Sequence, residues 1–378
     1  MLRAIVALFL LTIVACGQNE KNNDQGTTFL LPWSETANSE MSLKEIHIST
    51  LRNPSKVKGP AAEVYIEPGL TDGGFSGGVA DARWIKAGSV YVPSDVKSGQ
   101  AVTAYAQFEK IWKMDKKMGI SHLLTWPRQV SIGLSGEIGA EYQNNASYMP
   151  THDVTIIWEY TLSGHPVALN RGILGHEHFH AYFNQTFSKA RDAVYKEKRT
   201  NPADANLLQF FRETNKVTGY FAASASNVYL YRALNEGLAD FFGYVYSNDP
   251  NSFASTFHGL EEGRRLDKDQ AKVSSADDWK KLMTDPSYLD LNGCSRRCRI
   301  YFLAPYFSRQ FYKSAELQST GSDIKAAREA IASQIITALP TLARQFAEAE
   351  IKGQLITPEM LSGWLRVLTQ VPARKVMP

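Results

Sequence analysis

The most constraining feature of this chain is the run Gly175–Ala181, in which His176-Glu177-x-x-His180 places two histidines four residues apart. Residues four apart on an α-helix lie one turn apart on the same face, so both rings can aim a nitrogen at one ion. Glu177 lies one position further round, outside the ligands of such an ion but close enough to act as a general base. His178 lies on a different side of the helix and is interpreted as a residue next to the ligands or on the surface, not as a ligand. The flanking stretch 171–187 contains no proline and has apolar residues at helical spacing, which predicts a helix.

A second apolar, proline-free run over 227–246 contains Asn235-Glu236-x-x-x-Asp240. Glu236 can supply the carboxylate that completes a His/His/Glu ligand set. Asp240 can accept the N–H on the far side of a liganding imidazole and so fix its tautomer. The alternative is a helix with hydrogen-bonded histidines and another with two solvated acids. Against it, both acids lie among Leu, Ala and Phe, where unpaired carboxylates are costly to bury.

These two motifs resemble those of the gluzincin group of zinc metallopeptidases, to which the thermolysin-like enzymes belong. Upstream, the run 144–148 and the following run 154–157 resemble the edge strand and the next strand of those enzymes. The resemblance implies one catalytic Zn²⁺ held by His176, His180 and Glu236. It also implies a zincin-like α+β fold, with a mixed-sheet upper lobe that carries the active-site helix and a mostly helical C-terminal lobe.

In that family the edge strand binds the substrate backbone as an added strand, so the resemblance assigns peptide binding to Asn145 and Ala146. The chain also departs from the pattern. The stretch 188–225 is interpreted as an insertion, and the later histidine motif that steadies the oxyanion has no counterpart. Four aromatic residues downstream of the first metal-binding run are candidates for that role, by type and position: Tyr231, His258, Tyr301 and Tyr306.

The function expected from this set is hydrolysis of peptide bonds in a protein or peptide substrate by a zinc metalloendopeptidase, with Glu177 as the general base. Two alternatives stay open. One is a surface lipoprotein that keeps the scaffold for binding only, although the complete set of ligands and base argues against it. The other is an aminopeptidase of the same metal class, although the acidic amine-binding motif of such enzymes is absent from the edge strand.

The N-terminus predicts export. One positive charge is followed by a short apolar core, so residues 1–15 are interpreted as a signal peptide. The following Cys16 stands in a run that resembles the bacterial lipobox, which implies acylation of the cysteine and a membrane anchor facing the periplasm or cell surface. Ordinary cleavage with a free Cys16 is the alternative. The polar residues 16–40 are interpreted as a flexible tether.

The remaining cysteines, Cys294 and Cys298, are close in sequence and are expected to form a disulfide after export, or else to be two thiols. A net charge of +3, from 41 basic and 38 acidic residues without a basic run, argues against nucleic-acid binding. Nothing in the sequence indicates an oligomeric state.

The folded body divides into an α/β upper-lobe sheet region over 41–165, the metal-binding helices with their insertion over 166–250, and a helical lobe over 251–378. An amphipathic helix is predicted over 98–117. Pro305 is expected to interrupt one C-terminal helix, and Pro340 to kink or split another. Thr357 followed by Pro358 is expected to begin a last helix, with a cap residue and a proline at the first helical position.

Overall fold

The fold is known from a computed structural model, which describes residues 26–34, 40–135, 143–162, 165–200, 220–253, 256, 264–268, 277–279, 281, 298–319 and 323–370. Within them the strands come first and most of the helices later, so the predicted α+β class is confirmed. The strands are β1 (Thr27–Trp33), β2 (Ser42–Ile48), β3 (Ala62–Ile66), β4 (Leu70–Thr71), β5 (Gly74–Phe75), β6 (Trp84–Ala87), β7 (Val90–Pro93), β8 (Arg128–Ile132), β9 (Ala146–Met149) and β10 (Val154–Ile157). The α-helices are α1 (Val96–Met118), α2 (Arg171–Phe183), α3 (Lys189–Thr200), α4 (Tyr220–Ser247), α5 (Cys298–Gln318), α6 (Ile324–Ile351) and α7 (Pro358–Thr369).

The sheet that positions the candidate site has the strand order β3-β8-β10-β9. The first three strands are parallel, with Val130 of β8 paired to Val64 of β3 and to Thr155 of β10. β9 is antiparallel to β10, with Tyr148 opposite Thr155. β10 is buried along its whole length, as expected for a strand covered on both faces, whereas β9 is an edge.

A second sheet has the order β2-β1-β7-β6, and it corrects the predicted tether. β1 lies inside the stretch 16–40, which was expected to be flexible. Its alternate side chains Phe29, Leu31 and Trp33 are almost fully buried. The segment 27–33 is a short strand with alternating buried side chains, although polar residues precede it. The assignment of 27–33 to the tether is therefore wrong.

Helix α1 covers the sheets and begins and ends with well-formed caps. Asp95 accepts from the backbone N–H of Ser98, and Gly119 ends the helix in the left-handed region at φ 75°. Its buried residues include Val102, Tyr105 and Phe108, as the sequence periodicity predicts.

The interruption predicted at Pro305 and the split predicted at Pro340 are wrong, whereas a kink at Pro340 stays a prediction. α5 runs through Pro305 and α6 through Pro340 without a break. A proline removes one backbone hydrogen bond, but the buried faces on either side of it remain continuous. In α6, Leu339 and Leu342 flank the proline and are fully buried, and this packing favours one uninterrupted helix.

Two helices, α2 and α4, approach each other closely because glycines lie at their contact. A Cβ at Gly243 would lie 2.8 Å from the carbonyl oxygen of Gly172, and one at Gly175 would lie 2.7 Å from Cδ2 of Tyr246. Both distances are shorter than ordinary van der Waals contact. The short separation brings the side chains of the two metal-binding runs face to face.

Among the residues described above, no helix combines the length and the apolar character needed to cross a bilayer.

Candidate metal centre

Helix α2 begins at an N-cap that also fixes its position in the fold. The side-chain oxygen of Asn170 accepts from the N–H groups of Gly172 and Ile173, at 3.0 and 3.2 Å. The amide nitrogen of the same side chain donates to the carbonyl oxygen of Ser252 at 2.6 Å. The cap is therefore bonded to both the helix and the segment after α4, and it orients the first turns that carry His176.

Three side chains converge as the sequence predicts. The Nε2 atoms of His176 and His180 lie 3.1 Å apart. Glu236 approaches them with one oxygen 3.4 Å from Nε2 of His176 and the other 3.7 Å from Nε2 of His180. A tetrahedral metal with bonds of ~2.0–2.2 Å has ligand–ligand edges of roughly 3.3–3.6 Å. The group has the size and the ligand types needed to hold a metal ion.

The two imidazoles are held in the tautomer that metal binding requires. Nδ1 of His176 lies 3.0 Å from Oδ1 of Asp240, and Nδ1 of His180 lies 2.9 Å from Oδ1 of Asn235. Both oxygens accept, so each Nδ1 donates and each Nε2 keeps its lone pair in the neutral ring. Two lone pairs facing each other at 3.1 Å repel unless a proton or a metal ion lies between them.

The charges around the group favour a cation. Burial lowers the pKa of His176, but the hydrogen bonds that its ring donates to Asp240 and Glu236 outweigh this and raise the pKa to about 9. Burial raises the pKa of Glu236, but the hydrogen bond with His176 and the charge of His180 lower it to about 2. The site therefore retains a negative carboxylate and stabilises positive charge on an imidazole, and a metal ion competes with that proton for the same lone pair.

Arg264 is the residue of this site that the sequence did not single out. Its guanidinium donates from Nε to Oδ2 of Asp240 at 3.1 Å and from Nη2 to Oδ1 of the same carboxylate. Nη2 also lies 3.6 Å from Glu236, and the group stacks 4.2 Å from the ring centre of Phe253. It neutralises the carboxylate that orients His176. No local pattern marks Arg264, because its neighbours in sequence are an ordinary charged run.

Glu177 lies beside the three ligands without joining them. Its Oε1 is 4.0 Å from Nε2 of His176, and its Oε2 accepts from the backbone N–H of Tyr148 in β9 at 2.8 Å. Burial raises the pKa of Glu177 above its usual value. This brings the carboxylate toward the range in which it can accept a proton and give it back.

A cleft of about 370 Å³ opens over these residues. β9 forms one wall, and both Asn145 and Ala146 line it, as expected for residues that hold a peptide. The N–H of Ala146 is bonded to the side-chain oxygen of Asn145 at 2.9 Å, so this part of the wall is held in a fixed shape. The remaining lining comes from Pro150, α2 and the turn that follows it, α4, Arg264 and the start of α5.

The four candidate oxyanion donors differ in whether they line the cleft. Tyr231 and Tyr301 line the cleft. The hydroxyl of Tyr231 is already hydrogen-bonded to Ser188 at 2.7 Å, whereas the charge of Glu236, followed by burial, raises the pKa of Tyr301 to about 12. Tyr306 does not line the cleft, and its neighbours include Glu359 and Arg366 of α7. His258 lies outside the described residues.

His178, which the sequence placed near the ligands or on the surface, faces the opposite side of α2. It is almost fully buried, and its Nε2 is 2.8 Å from Asp115 of α1. The hydroxyls of Tyr182 and Tyr246 donate to the same carboxylate at 2.8 and 2.5 Å. The surface assignment is wrong, because this network joins α2 and α4 to α1 inside the core.

The predicted signal peptide over 1–15, lipid attachment at Cys16 and disulfide partner Cys294 lie outside the described residues. Of the cysteine pair, Cys298 begins α5, and only its backbone is described.

A comparison with models of known protein families finds none that matches this chain, and a comparison with curated proteins finds no significant relative.

Proposed function

We propose that this protein is a zinc-dependent peptidase of the gluzincin type, built on a zincin-like fold. The support is the combination of a metal-sized His/His/Glu group, an acid beside it and an edge strand above it. A parallel sheet that ends in an antiparallel edge strand and is followed by the metal-binding helix agrees with this fold.

One observation carries the proposal. Nε2 of His176 and Nε2 of His180 face each other at 3.1 Å while their Nδ1 atoms are engaged by Asp240 and Asn235. Two such nitrogens in a buried site need a proton or a metal ion between them, and the nearby Glu236 carboxylate adds a third donor atom for a metal ion. The two nitrogens and one carboxylate are the donor set of catalytic zinc sites with an open position.

Substrate binding follows from the position of β9. Its outer edge faces the cleft, so an extended peptide can pair with the backbone near Ala146 as an additional strand. This pairing directs the scissile carbonyl toward the three ligands. Asn145 braces the strand through its bond to the next amide.

Glu177 is the proton carrier in this proposal. Its carboxylate accepts the proton of the attacking water and then delivers it to the leaving amine. The N–H of Tyr148 holds one of its oxygens in place and leaves the other near the ligands. When bound, zinc supplies Lewis-acid polarisation of the carbonyl and lowers the pKa of water.

Tyr301 is the candidate that best fits the oxyanion donor. Its ring lies 5.4 Å from the guanidinium of Arg264 and lines the cleft. The raised pKa keeps its hydroxyl protonated at neutral pH, so it can donate to a developing negative charge. The place of action is a separate part of the proposal. Because residues 1–15 resemble a signal peptide and Cys16 a lipidation site, we propose that the enzyme acts outside the cytoplasm while anchored to a membrane.

The test is the variant Glu177→Gln. Glutamine can still accept from the N–H of Tyr148, so the site should keep its shape and its zinc. We expect one zinc per chain by elemental analysis in both proteins. We also expect a loss of about 10²–10⁴-fold in kcat/KM on a peptide library, because the general base is gone.

The matched control is Glu348→Gln, the same change at an exposed position of α6, which should leave cleavage unchanged. Full activity of Glu177→Gln would remove Glu177 as the base. A wild-type protein that binds zinc but cleaves no peptide would instead support a scaffold used for binding.

A further inference from the structure

A second cavity, of about 470 Å³, lies where α1, the start of α2, the end of α4 and the start of α6 meet. It shares no lining residue with the cleft above the metal ligands. Its lining contains one acid, Glu329, and six cationic side chains, which are Lys110, Lys113, Lys117, Arg171, Lys325 and Arg328.

Arg328 is the unusual member of this lining because it is buried, with 1% of its surface exposed. Its Nη1 donates to the side-chain oxygen of Asn248, and its guanidinium lies 5.1 Å from the ring centre of Tyr244. Among the residues with described positions, none accepts a hydrogen bond from its Nε. In the described part of the chain, no carboxylate forms an ion pair with it. Buried charges are normally paired, so an arginine of this kind favours an anion from outside the chain.

Within the lining itself, one acid stands against six cationic side chains. Glu329 pairs with Lys117 at 2.6 Å, and Glu109, which is not in the lining, pairs with Lys113 at 3.2 Å. The exposed Lys325 forms no ion pair within the residues that the structure describes. The lining therefore keeps an excess of positive charge, and its members repel one another across a small space.

We propose that this cavity binds a phosphate-bearing ligand with at least two negative charges. A guanidinium presents two parallel donors that match phosphate oxygens, and lysines add point charges around it. The volume lies in the range of ordinary small-ligand pockets of ~300–1,000 Å³. A free phosphate compound and a phospholipid headgroup share this chemistry. The site goes beyond the peptidase function and does not depend on it.

The first test titrates the full chain with inorganic pyrophosphate by calorimetry at constant ionic strength. Lys325→Glu reverses one charge of the lining. An acid near the N-terminus of α6 suits the helix dipole, so this variant should fold. We expect pyrophosphate to bind the wild type and to bind Lys325→Glu at least tenfold more weakly.

The matched control is Arg344→Glu, which changes the net charge by the same amount at an exposed position of the same helix. It lies about 28 Å further along α6. The affinity of Arg344→Glu for pyrophosphate should stay within twofold of the wild-type affinity. If pyrophosphate affinity fell equally in both variants, the effect would come from net charge alone, and the proposed binding site would be wrong.

Two other results would also overturn it. One is the absence of pyrophosphate binding to the wild type. The other is binding that survives Lys325→Glu but disappears when metal is removed by a chelator, which would place the anion at the metal centre.

A competition experiment then identifies the source. If the ligand is a phospholipid headgroup, vesicles containing phosphatidic acid should displace pyrophosphate from the wild type, whereas vesicles of phosphatidylcholine alone should not. Pyrophosphate that stays bound beside both kinds of vesicle assigns the site to a free phosphate compound. Either result supports the phosphate-binding cavity.

Discussion

The two histidines of the candidate metal centre are oriented by different partners. Asp240 is a carboxylate whose charge is offset by Arg264, and it holds His176. Asn235 is a neutral amide, and it holds His180. Both partners accept from Nδ1, so each leaves Nε2 available as a ligand atom. The amide performs this task without adding a second buried negative charge beside Glu236.

The neutral partner gives a direct prediction. Asn235→Ala removes the acceptor for Nδ1 of His180 and frees the ring to rotate or change tautomer. We expect zinc affinity to fall by about 10–100-fold, measured by competition with a chromophoric chelator. Asn235→Asp keeps an acceptor and should retain tight binding.

An exposed asparagine provides the control. Asn53→Ala, in a loop far from these residues in sequence, should leave the zinc affinity at the wild-type value. Unchanged affinity in Asn235→Ala would mean that the Nδ1 bond of His180 does not orient the ligand.

The packing of α2 against α4 determines whether the histidines and Glu236 come close together. α2 carries both histidines and α4 carries Glu236, and the two helices touch through glycines. At Gly243 the nearest obstacle to a side chain is the backbone oxygen of Gly172, which cannot turn away as a flexible side chain can. At this point the separation of the two helices is therefore set by backbone contact.

Gly243→Ala tests this contact. The added methyl must push α4 away from α2, and overpacking of this kind destabilises by about 1–3 kcal/mol. Because the same movement separates Glu236 from the histidines, we expect zinc affinity to fall with the free energy of unfolding measured in urea.

Gly363→Ala is the matched change in α7, where nothing lies within 4 Å of the added atom. It should raise the free energy of unfolding by up to about 1 kcal/mol, because alanine favours a helix more than glycine does. A Gly243→Ala protein as stable as Gly363→Ala would contradict the close packing.

The stability of the protein as a whole depends on how its central sheet is tied together. Arg128 begins β8 and is 2% exposed, and its guanidinium forms two bonds of 3.0 and 2.6 Å with the carboxylate of Asp153, just before β10. Tyr148 of the edge strand donates to the same carboxylate at 2.8 Å. One ion pair thus joins β8, β10 and β9, the strands next to the helix that carries the candidate metal ligands.

This pair predicts a particular dependence on pH. Burial raises the pKa of Asp153, but the hydrogen bonds and charge of Arg128 outweigh it and hold the pKa below the usual value. A carboxyl whose pKa is lower in the folded state stabilises the fold above its unfolded pKa of about 3.9. That stabilisation is lost as the pH falls through the folded value.

The variant Asp153→Asn measures the effect. At pH 7 it should lower the free energy of unfolding by about 1.5–3 kcal/mol, and the gap to the wild type should close as the pH falls below about 4. Asp81→Asn, in the exposed pair with Lys56, should change stability by less than about 1 kcal/mol. A gap for Asp153→Asn that stays constant down to pH 2.5 would contradict the assigned shift.

The sequence alone identified the candidate ligand set and much of the local structure. The four-residue spacing of His176 and His180 fixes their common helical face, and the same periodicity predicts α1 and α4. Thr357 before Pro358 predicts the start of α7, and the structure confirms it, because a cap and a first-turn proline are local signals.

Only the tertiary structure decided the features that depend on contacts distant in sequence. The burial of β1, the continuity of α5 and α6 through their prolines and the inward turn of His178 all follow from packing that outweighs local preference. Arg264 belongs to the site because the fold brings it to Asp240. Spacing along the chain determines which side chains share one face of a helix. Burial and charge pairing between segments distant in sequence determine which residues that face contacts.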